Sequence, residues 1–319
     1  MKAAVYYTNG TPDVLRHEDV ADPAVGPSTV LIRVAHVALQ GGDILGRRDV
    51  APSSPPHVPG FQASGTVQAV GGQVTDFRAG DRVAGFAFQG SHAELFAVDQ
   101  TLAYPVPDGL DMAVAAAIPV EFGTASDGLF EYGNLKAGET VLIRGAAGGV
   151  GVAAVQLARQ AGATVIAVAA TAERCQRLRQ LGATHAIDYQ AEDVVARTRD
   201  LTDGRGVDLV LDMAGGRPLL DLCAFRGRYG LVGAASGQSA SVTFEDLLSN
   251  NLTVFSFMFG KEMGSDRVRA VIDALMRRAN VQELTMPIDK VFALSDAAKA
   301  HAFVEDSRPF GRVIIDVNT

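Results

Sequence analysis

The segment that most constrains the fold is Thr140–Gly151, with the sequence TVLIRGAAGGVG. A short apolar run precedes glycines at every third position, and an alanine-rich helical pattern follows them. Glycine permits a sharp turn and a close approach of phosphate to the main chain. The start of the next helix offers N–H groups and a positive dipole end to an anion. Since a second apolar run, Thr164–Ala169, completes the strand–turn–helix–strand order, we predict a Rossmann-type dinucleotide-binding turn.

The pattern of apolar and polar residues along the chain changes near Leu110. Before it, short alternating runs separated by turns indicate β-strands, including a half-buried strand with Val30, Ile32 and Val34 on one face. After it, apolar strands alternate with helical segments, which predicts an α/β fold with a doubly wound parallel sheet of about six strands. Helices are predicted at 172–181 and 191–201, and between each later pair of strands. The predicted strands are Val141–Ile143, Val165–Ala169, Ala186–Ile187, Val207–Asp212, Tyr229–Val232 and Leu252–Phe257.

The two ends of the chain have β-rich patterns. Lys2–Tyr7 with a turn at Asn9-Gly10 predicts a hairpin, and the closing GRVIIDV predicts a strand that returns to the β-rich domain. The segment from Gly41 to Gly60, rich in Gly, Pro and Ser, predicts a long loop. Ser295 is predicted to cap a late helix. We therefore predict a β-rich domain of residues 1–120 plus 261–319 and a nucleotide-binding domain of residues 121–260.

Composition limits the classes of partner. The 319-residue chain has a net charge of −8 and lacks a long basic run, which argues against nucleic acid or an anionic membrane surface. Two cysteines indicate a reducing compartment without a disulfide framework, and no apolar run is long enough to span a membrane. We expect a soluble, cytoplasmic protein that acts on a small molecule.

The second strand indicates which cofactor is bound. In NAD-binding folds an acidic residue about 20 positions past the glycine turn holds the ribose 2′-hydroxyl. Here the strand ends in VIAVAAT with no carboxylate at its tip, and Glu173 lies inside the next helix beside Arg174. Thr171 and Arg174 suit a 2′-phosphate, which predicts NADPH. Arg174 could instead be a solvated helix residue like Arg177.

Several motifs together make the chain similar to a known family. They are GPSTVLIRV, GTVQAVGGQVTDFRAGDRVAGF, AAGGVG, LGATHAIDY, VDLVLDMAGG, GRYGLVGAASG and FGRVIIDV. With them the chain resembles the zinc-free quinone oxidoreductase branch of the medium-chain dehydrogenases/reductases, which includes zeta-crystallin. The resemblance implies a GroES-like catalytic domain beside the Rossmann domain, with a substrate pocket in the cleft between them.

The resemblance also implies cofactor contacts. The glycine turn would hold the pyrophosphate, the end of the second strand with the third would hold the 2′-phosphate, and the remaining residues would approach the nicotinamide. For the pyrophosphate the implied residues are Gly148, Gly149 and Val150. For the 2′-phosphate they are Ala170, Thr171, Arg174 and Tyr189. For the nicotinamide they are Thr124, Val232, Gly233, Ala234 and Phe257.

The positions where zinc-dependent relatives hold their catalytic metal have other residues here. Phe61 and Gln62 stand where those relatives have His and Glu, and the four-cysteine structural lobe is missing. Because zinc requires converging Cys, His or carboxylate ligands, we predict no metal. His92, His301 and the other histidines are scattered and are expected to be structural or solvated. Gly-x-Ser-x-Gly is absent, so a serine hydrolase is not supported.

The substrate pocket has two polar candidates, Gln40 and Asp43. The family usually has Asn at the position of Gln40, and Asp43 could equally cap a helix. A tyrosine often found in the following loop is absent, so the sequence names no proton donor.

Three functions remain open from the sequence. The leading one is NADPH-dependent hydride transfer to a quinone or related conjugated carbonyl, without metal. The second is an NADPH-dependent enoyl reductase acting on an enone or acyl thioester. The third is a non-catalytic NADPH-binding structural protein. In each case the apolar strand at 252–258 predicts a homodimer paired through a sheet edge.

Overall fold

A computed structural model describes residues 1–238 and 241–319. These residues form two compact units, Met1–Gly123 with Gly260–Thr319, and Thr124–Phe259. The strands are β1 Lys2–Val5, β2 Arg16–Asp19, β3 Thr29–Leu39, β4 Gln62–Val70, β5 Arg82–Phe86, β6 Leu95–Asp99, β7 Ala103–Pro105, β8 Thr140–Arg144, β9 Thr164–Ala169, β10 His185–Asp188, β11 Val207–Asp212, β12 Cys223–Leu231, β13 Thr253–Phe255, β14 Ile288–Ala293 and β15 Arg312–Asp316. The α-helices are α1 Gly41–Asp49, α2 Met112–Ala116, α3 Gly123–Ser126, α4 Gly149–Gln160, α5 Ala172–Gln180, α6 Val194–Leu201, α7 Phe244–Leu248, α8 Asp266–Asn280 and α9 Ala297–Ser307.

The unit Thr124–Phe259 is built on a parallel sheet. Within its described residues the sheet has six strands in the order β10-β9-β8-β11-β12-β13. The predicted parallel sheet of about six strands is thus confirmed. The middle residues of its strand β8 are apolar because both faces of the sheet are covered: Val141, Leu142 and Ile143 have no exposed surface.

Two details of this unit differ from the prediction. The helix expected between Asp212 and Tyr229 is a short 3-10 turn, Leu220–Leu222, because β12 already begins at Cys223 and leaves little chain for a helix. The last strand is shorter than 252–257 and comprises only Thr253–Phe255. The buried Tyr229 hydroxyl donates to Asp212 Oδ2 at 2.7 Å, so this tyrosine serves the core.

The unit Met1–Gly123 with Gly260–Thr319 is centred on β3. In the described part of the chain its larger sheet has seven strands, ordered β14-β15-β3-β4-β5-β7, with β6 also paired to β3. The final strand, β15, runs antiparallel to β3 with Val313 opposite Leu39, as predicted from GRVIIDV. Val30, Ile32 and Val34 are buried in one core cluster, which confirms the predicted face of β3.

The segment 41–60 is not the continuous loop that its composition predicts, since α1 occupies its first half. Helix-interior glycine costs about 1 kcal/mol relative to alanine, so the glycines argued against a helix. A capping box between Gln40 and Asp43 nevertheless starts the helix by satisfying main-chain N–H groups at its N-terminus. Sequence reasoning treated Asp43 as a possible cap and did not foresee the reciprocal partner.

Two smaller predictions about this unit also need correction. β1 does pair with β2, but the connection contains a 3-10 turn at Pro12–Val14 instead of a tight turn at Asn9-Gly10. Ser295 does not cap α9, because a 3-10 turn, Leu294–Asp296, places Asp296 at the N-cap. Across residues 1–238 and 241–319, no helix combines the length and the apolar character needed to cross a bilayer.

The alanine-rich segment that follows α2 contains unusual helical turns. Ile118–Phe122 and Asp127–Glu131 are π-helical, with α3 between them. Such turns often occur near functional sites because they redirect side chains. They carry the buried carboxylates Glu121 and Asp127.

Candidate functional site

The glycine turn after β8 leads directly into α4. Gly148 is the N-cap, and its carbonyl accepts from Val152 N–H at 2.8 Å. The N–H groups of a helix's first turn have no acceptor within the helix, so this end is suited to an anion. A Cβ at Gly151 would lie 2.4 Å from the Gly145 carbonyl oxygen, whereas one at Gly148 would meet nothing closer than 3.7 Å. Gly151 therefore allows the helix to pack on the turn, and Gly148 leaves the open end accessible.

The end of β9 has a strained backbone. Thr171, the N-cap of α5, has φ of 66° and ψ of 142°, a region that a β-branched residue rarely adopts. Its hydroxyl accepts from Arg174 N–H at 3.4 Å, and its own N–H donates to Asp188 Oδ1 at 3.0 Å. Such strain persists only where surrounding contacts determine it, and it concentrates at functional sites.

Sequence reasoning missed Asp188 at this position. The carboxylate accepts from the N–H groups of both Thr171 and Gln190, each at 3.0 Å. It ends β10, which lies beside β9 with Asp188 opposite Ala169. The sequence signal that could have indicated it is its position at the end of a predicted strand, immediately before Tyr189. In the structure Tyr189 is 44% exposed.

The segment 232–234 packs against the end of β11. The N–H groups of Val232 and Gly233 donate to the Asp212 carbonyl at 2.9 and 3.2 Å. Because carboxyl ends of parallel strands share one edge of a sheet, the segments after β8, β9, β10 and β12 lie along that edge. The sequence-predicted residues placed there are Gly148, Gly149, Val150, Ala170, Thr171, Arg174, Tyr189, Val232, Gly233 and Ala234.

Phe257 and Thr124 lie outside the four segments that follow β8, β9, β10 and β12. The ring of Phe257 is stacked on Tyr132, with centroids 4.5 Å apart and planes 9° apart. One face of Phe257 is therefore covered by the protein, which the sequence did not indicate. Thr124, predicted on the nicotinamide side, is 9% exposed at the start of this unit.

In the other unit, Gln40 and Asp43 begin α1. Gln40 N–H donates to Asp43 Oδ2 at 2.9 Å, and the two side chains are 7% and 2% exposed. Burial raises the pKa of Asp43 to about 7; the main-chain N–H of Gln40 opposes this rise, and the Glu121 carboxylate adds to it. Within the described residues, Gln40 Nε2 and Asp43 Oδ1 have no hydrogen-bond partner. Two buried polar groups without partners are costly, which marks this turn as a candidate site.

A second buried network lies in the same unit and was not predicted. Glu121 has no exposed surface, and its two oxygens accept from Gln62 Nε2 at 2.6 Å and from Arg312 Nε at 2.5 Å. Gln62 Oε1 in turn accepts from Val120 N–H at 3.2 Å. These partners are 59 and 191 positions apart from Glu121, so no local pattern could reveal them.

Two of the scattered histidines meet in the core. The Nε2 atoms of His92 and His301 are 3.2 Å apart, and Arg47 Nε donates to His301 Nδ1 at 3.3 Å. Burial lowers the pKa of His92 to about 3 and also lowers that of His301, so both rings are neutral at physiological pH. Because Arg47 occupies His301 Nδ1 as a donor, the His301 proton resides on Nε2 and is donated to His92. Arg47 is itself fully buried and pairs with Glu305.

The described residues contain no group of three or more His, Cys, Asp or Glu side chains arranged to hold a metal ion. Phe61, which the sequence analysis placed where zinc-dependent relatives have a His, packs edge-to-face with Phe86 and Phe88. Cys175 and Cys223 are both buried free thiols, and burial raises the pKa of Cys223 to about 12.

Comparison with known proteins identifies the family. Residues 149–277 match the model described as zinc-binding dehydrogenase, and residues 26–108 match the alcohol dehydrogenase GroES-like domain. A quinone oxidoreductase of Pseudomonas aeruginosa is 32% identical over 318 residues, which cover 96% of each chain. The chain belongs to the quinone oxidoreductase-like medium-chain dehydrogenases/reductases. The resemblance and the fold class predicted from the sequence are thereby confirmed.

Solved structures agree with this assignment. A quinone oxidoreductase of Pseudomonas syringae pv. tomato DC3000 superposes with a TM-score of 0.93 at 30% identity, covering 99% of each chain. The Escherichia coli quinone oxidoreductase, complexed with NADPH, superposes with a TM-score of 0.93 at 25% identity, covering 99% of this chain and all of that one.

Some relatives are longer than this chain. It is 31% identical to a Danio rerio synaptic vesicle membrane protein VAT-1 homolog, over 92% of this chain and 65% of the relative. It is 33% identical to a phthioceranic/hydroxyphthioceranic acid synthase of Mycobacterium bovis, again over 92% of this chain but only 14% of the relative. These likenesses concern the shared segment alone.

Proposed function

We propose that this protein is an NADPH-dependent oxidoreductase that reduces a quinone or a related conjugated carbonyl. The observation that carries the proposal is the sheet edge at Gly148–Val150 and Thr171–Arg174, in a chain similar over nearly its full length to quinone oxidoreductases. One of those relatives was solved as an NADPH complex. When bound, NADPH supplies the hydride. The hydride and one proton convert the quinone to a hydroquinone, and NADPH becomes NADP⁺.

The residues at the sheet edge fit this cofactor. The open N-terminus of α4, at Gly149 and Val150, would bind the pyrophosphate. Thr171, Arg174 and Tyr189 would surround the adenosine 2′-phosphate, with Ala170 beside them. A phosphate at this place is compatible with the Asp188 carboxylate, because that carboxylate already accepts hydrogen bonds from two main-chain N–H groups. Its role would be to hold Thr171 in its strained conformation.

The nicotinamide end would lie against the remaining residues predicted from the sequence. Val232, Gly233 and Ala234 follow β12 at the same edge, and Thr124 and Phe257 would complete the contact. Phe257 would present only the ring surface that Tyr132 leaves uncovered.

Gln40 and Asp43 would act on the acceptor. With its pKa raised to about 7, Asp43 is protonated in about half of the molecules at neutral pH, so it can both hold and release a proton there. Its Oδ1 and the Gln40 amide are donors that an acceptor oxygen could engage as negative charge develops there. Because both atoms are buried, acceptor binding must displace residues around the first turn of α1. Asp43 would then deliver its proton to that oxygen.

The experiment that tests this function measures cofactor consumption by the purified protein. NADPH and NADH are compared, each with phenanthrenequinone and with a linear enone as acceptor. We expect rapid oxidation of NADPH by the quinone and much slower oxidation of NADH. Turnover of the enone alone would assign an enoyl reductase instead. NADPH binding without turnover of either acceptor would favour a binding role.

We propose further that the protein is a homodimer paired through residues 252–258. β13 is the edge of its sheet, and an uncovered edge favours pairing with a second strand. Val254→Lys should dissociate the dimer in light scattering at micromolar concentration. Val291→Lys is the matched control, since Val291 lies on β14 at the end of the other sheet. A monomeric wild-type protein would contradict the proposal.

Metal independence and a cytoplasmic location belong to the same proposal. Phe61 and Gln62 replace the His and Glu of zinc-dependent relatives, and both cysteines are free thiols, as suits a reducing compartment. Elemental analysis of the active protein would test the first point, and fractionation of cells the second.

A further inference from the structure

An ion pair joins the ends of the two strands at the centre of the parallel sheet. Arg144 ends β8 and Asp212 ends β11, and the two residues lie opposite each other in the strand pairing. Arg144 Nη1 donates to Asp212 Oδ2 at 2.9 Å. The strand order reverses here, since β9 and β10 lie beyond β8 while β12 and β13 lie beyond β11. Because dinucleotides bind outside such a reversal in open α/β sheets, the ion pair borders the proposed cofactor site.

The Asp212 carboxylate is buried, and protein groups occupy both of its oxygens. Asp212 has no exposed surface. Its Oδ1 accepts from Ala214 N–H at 2.8 Å and from Gly215 N–H at 3.1 Å. Its Oδ2 accepts from Arg144 Nη1 and from the Tyr229 hydroxyl, the latter at 2.7 Å. A buried N–H without an acceptor is costly, so this carboxylate fixes the first residues of the loop that follows β11.

The loop that follows β11 is joined in turn to the segment that follows β12. Ser236 N–H donates to the Ala214 carbonyl at 2.7 Å. A Cβ at Gly233 would lie 2.7 Å from the Met213 carbonyl oxygen, so the two main chains are in direct contact. The segment 232–234, which would contact the nicotinamide, is therefore held by a loop that Asp212 fixes.

Arg144 connects the same loop to the glycine turn. It immediately precedes Gly145, and its Nη1 also donates to the Arg217 carbonyl at 3.2 Å. A Cβ at Gly145 would lie 3.5 Å from Ala214 N, so the turn and the loop are neighbours. The ion pair thus links the turn that would bind the pyrophosphate with the segment that would bind the nicotinamide.

We propose that Asp212, paired with Arg144, is a positioning residue for the nicotinamide half of the cofactor. This inference rests on the proposed function and adds to it a residue that acts through the main chain of two loops. The nicotinamide would meet a segment that is already ordered, so binding does not include the cost of ordering it. The adenosine half would bind at Thr171 and Arg174, after β9, and should not depend on Asp212.

The test compares NADPH with 2′-phospho-ADP-ribose, a fragment that has the same adenosine half and pyrophosphate but no nicotinamide. Calorimetric titration without acceptor gives both Kd values. We expect Asp212→Asn to weaken NADPH binding by about 10-fold, because ordering one residue's backbone on binding corresponds to about one decade in Kd. An amide places an NH2 group against donors that the carboxylate accepts. Fragment binding should change by less than about twofold, which also shows that the variant is folded.

A milder variant and a matched control accompany this comparison. Tyr229→Phe removes one donor to Asp212 and should weaken NADPH binding by about threefold, on the order of half a decade in Kd, with the fragment unaffected. Asp208→Asn is the control, because Asp208 lies on the same strand and pairs with Arg205. It should bind both ligands like wild type. Equal losses for NADPH and fragment in folded Asp212→Asn, or no loss for either, would overturn the inference. If Asp212→Asn does not fold, Tyr229→Phe decides by the same criterion.

Hydride transfer gives a second readout. At saturating NADPH, single-turnover reduction of phenanthrenequinone should be at least about 10-fold slower in Asp212→Asn, since a misplacement of about 1 Å can cost about 10²-fold. An unchanged rate would contradict a positioning role. If wild type binds NADPH but reduces no quinone, the proposed reaction fails, and the comparison of the two ligands still decides the role of Asp212. If wild type does not bind NADPH, the proposed function and the inference fail together.

Discussion

The two candidate sites are built in different ways. The proposed cofactor-binding edge consists mainly of main chain: a glycine turn, a helix N-terminus and the strained Thr171, whose partners Arg174 and Asp188 lie 3 and 17 positions further along the chain. The polar core of the other unit contains the local pair Gln40 and Asp43, but its ion pairs join side chains from distant segments, such as Arg47 with Glu305, 258 positions apart. A site made of main chain has a local sequence signature. A site made of side chains acquires its chemistry only when the sheet assembles.

The largest expected effect is on the free energy of unfolding, and it tests whether ion pairs between distant segments, such as Arg312 with Glu121, stabilise their unit. Arg312→Met leaves the Glu121 carboxylate buried without its cation, which should cost about 3–5 kcal/mol of unfolding free energy. Arg277→Met is the control, since its pair with Asp273 is exposed and such pairs contribute about 0–1 kcal/mol. Urea unfolding gives both values. Equal losses would show that the Glu121 network contributes no more than a surface pair.

The second prediction concerns the pH dependence that Asp43 imposes. Its folded-state pKa of about 7 lies above the ordinary 3.8, so the folded protein binds this proton more tightly than the unfolded chain. Stability from this group is full below pH ~4 and is lost as pH rises towards ~7, by on the order of 4 kcal/mol.

Asp43→Asn should remove that loss, so the variant should gain stability relative to wild type between pH 5 and pH 8. Comparing the two proteins at both pH values isolates Asp43, because His92 and His301 contribute equally to each. Their lowered pKa values act in the opposite direction, destabilising both proteins as the pH falls. A difference between the two proteins that does not change with pH would show that Asp43 titrates normally.

A third, smaller effect is expected at the glycine turn. Gly151→Ala places a methyl group against the Gly145 carbonyl and Ala146, and overpacking of this kind costs about 1–3 kcal/mol. Gly148→Ala should leave the unfolding free energy unchanged, because its Cβ meets only an ordinary contact. Thermal unfolding of both variants distinguishes the packing glycine from the one at the open end. Similar destabilisation by both would contradict the geometry of the turn.

This comparison also explains what could be read from the sequence. The parallel strands were predictable because they are short, most have apolar centres and all but β11 and β12 are separated by helices. The turn after β8 also carries its own glycine pattern. Helix α1 was missed because three of its residues are glycine and the Gln40–Asp43 capping box was not recognised. Glu121 and Arg312 looked like ordinary charged residues, since nothing near either one identifies its partner. The stacking of Phe257 on Tyr132 likewise depends on two distant segments.

The smallest expected effect concerns cofactor choice. If Arg174 contacts the 2′-phosphate, Arg174→Ala should weaken NADPH binding by about 10-fold and leave NADH binding nearly unchanged, since a hydrogen bond to a charged group contributes about 1.5–3 kcal/mol. Arg177→Ala, one turn further along α5, is the control. Fluorescence titration of both cofactors measures the ratio. Equal losses in the two variants would show that Arg174 is a solvated residue of the helix.

The most direct test of the proposed reaction is a single turnover without metal. The protein is dialysed against a chelator, loaded with NADPH and mixed rapidly with phenanthrenequinone, and the loss of NADPH absorbance is followed. We expect one equivalent of NADPH to be oxidised at the rate of the undialysed protein, with one equivalent of hydroquinone formed. A rate that vanishes after dialysis and returns with zinc, or a quinone that stays oxidised while NADPH remains bound, would contradict hydride transfer by the residues described here.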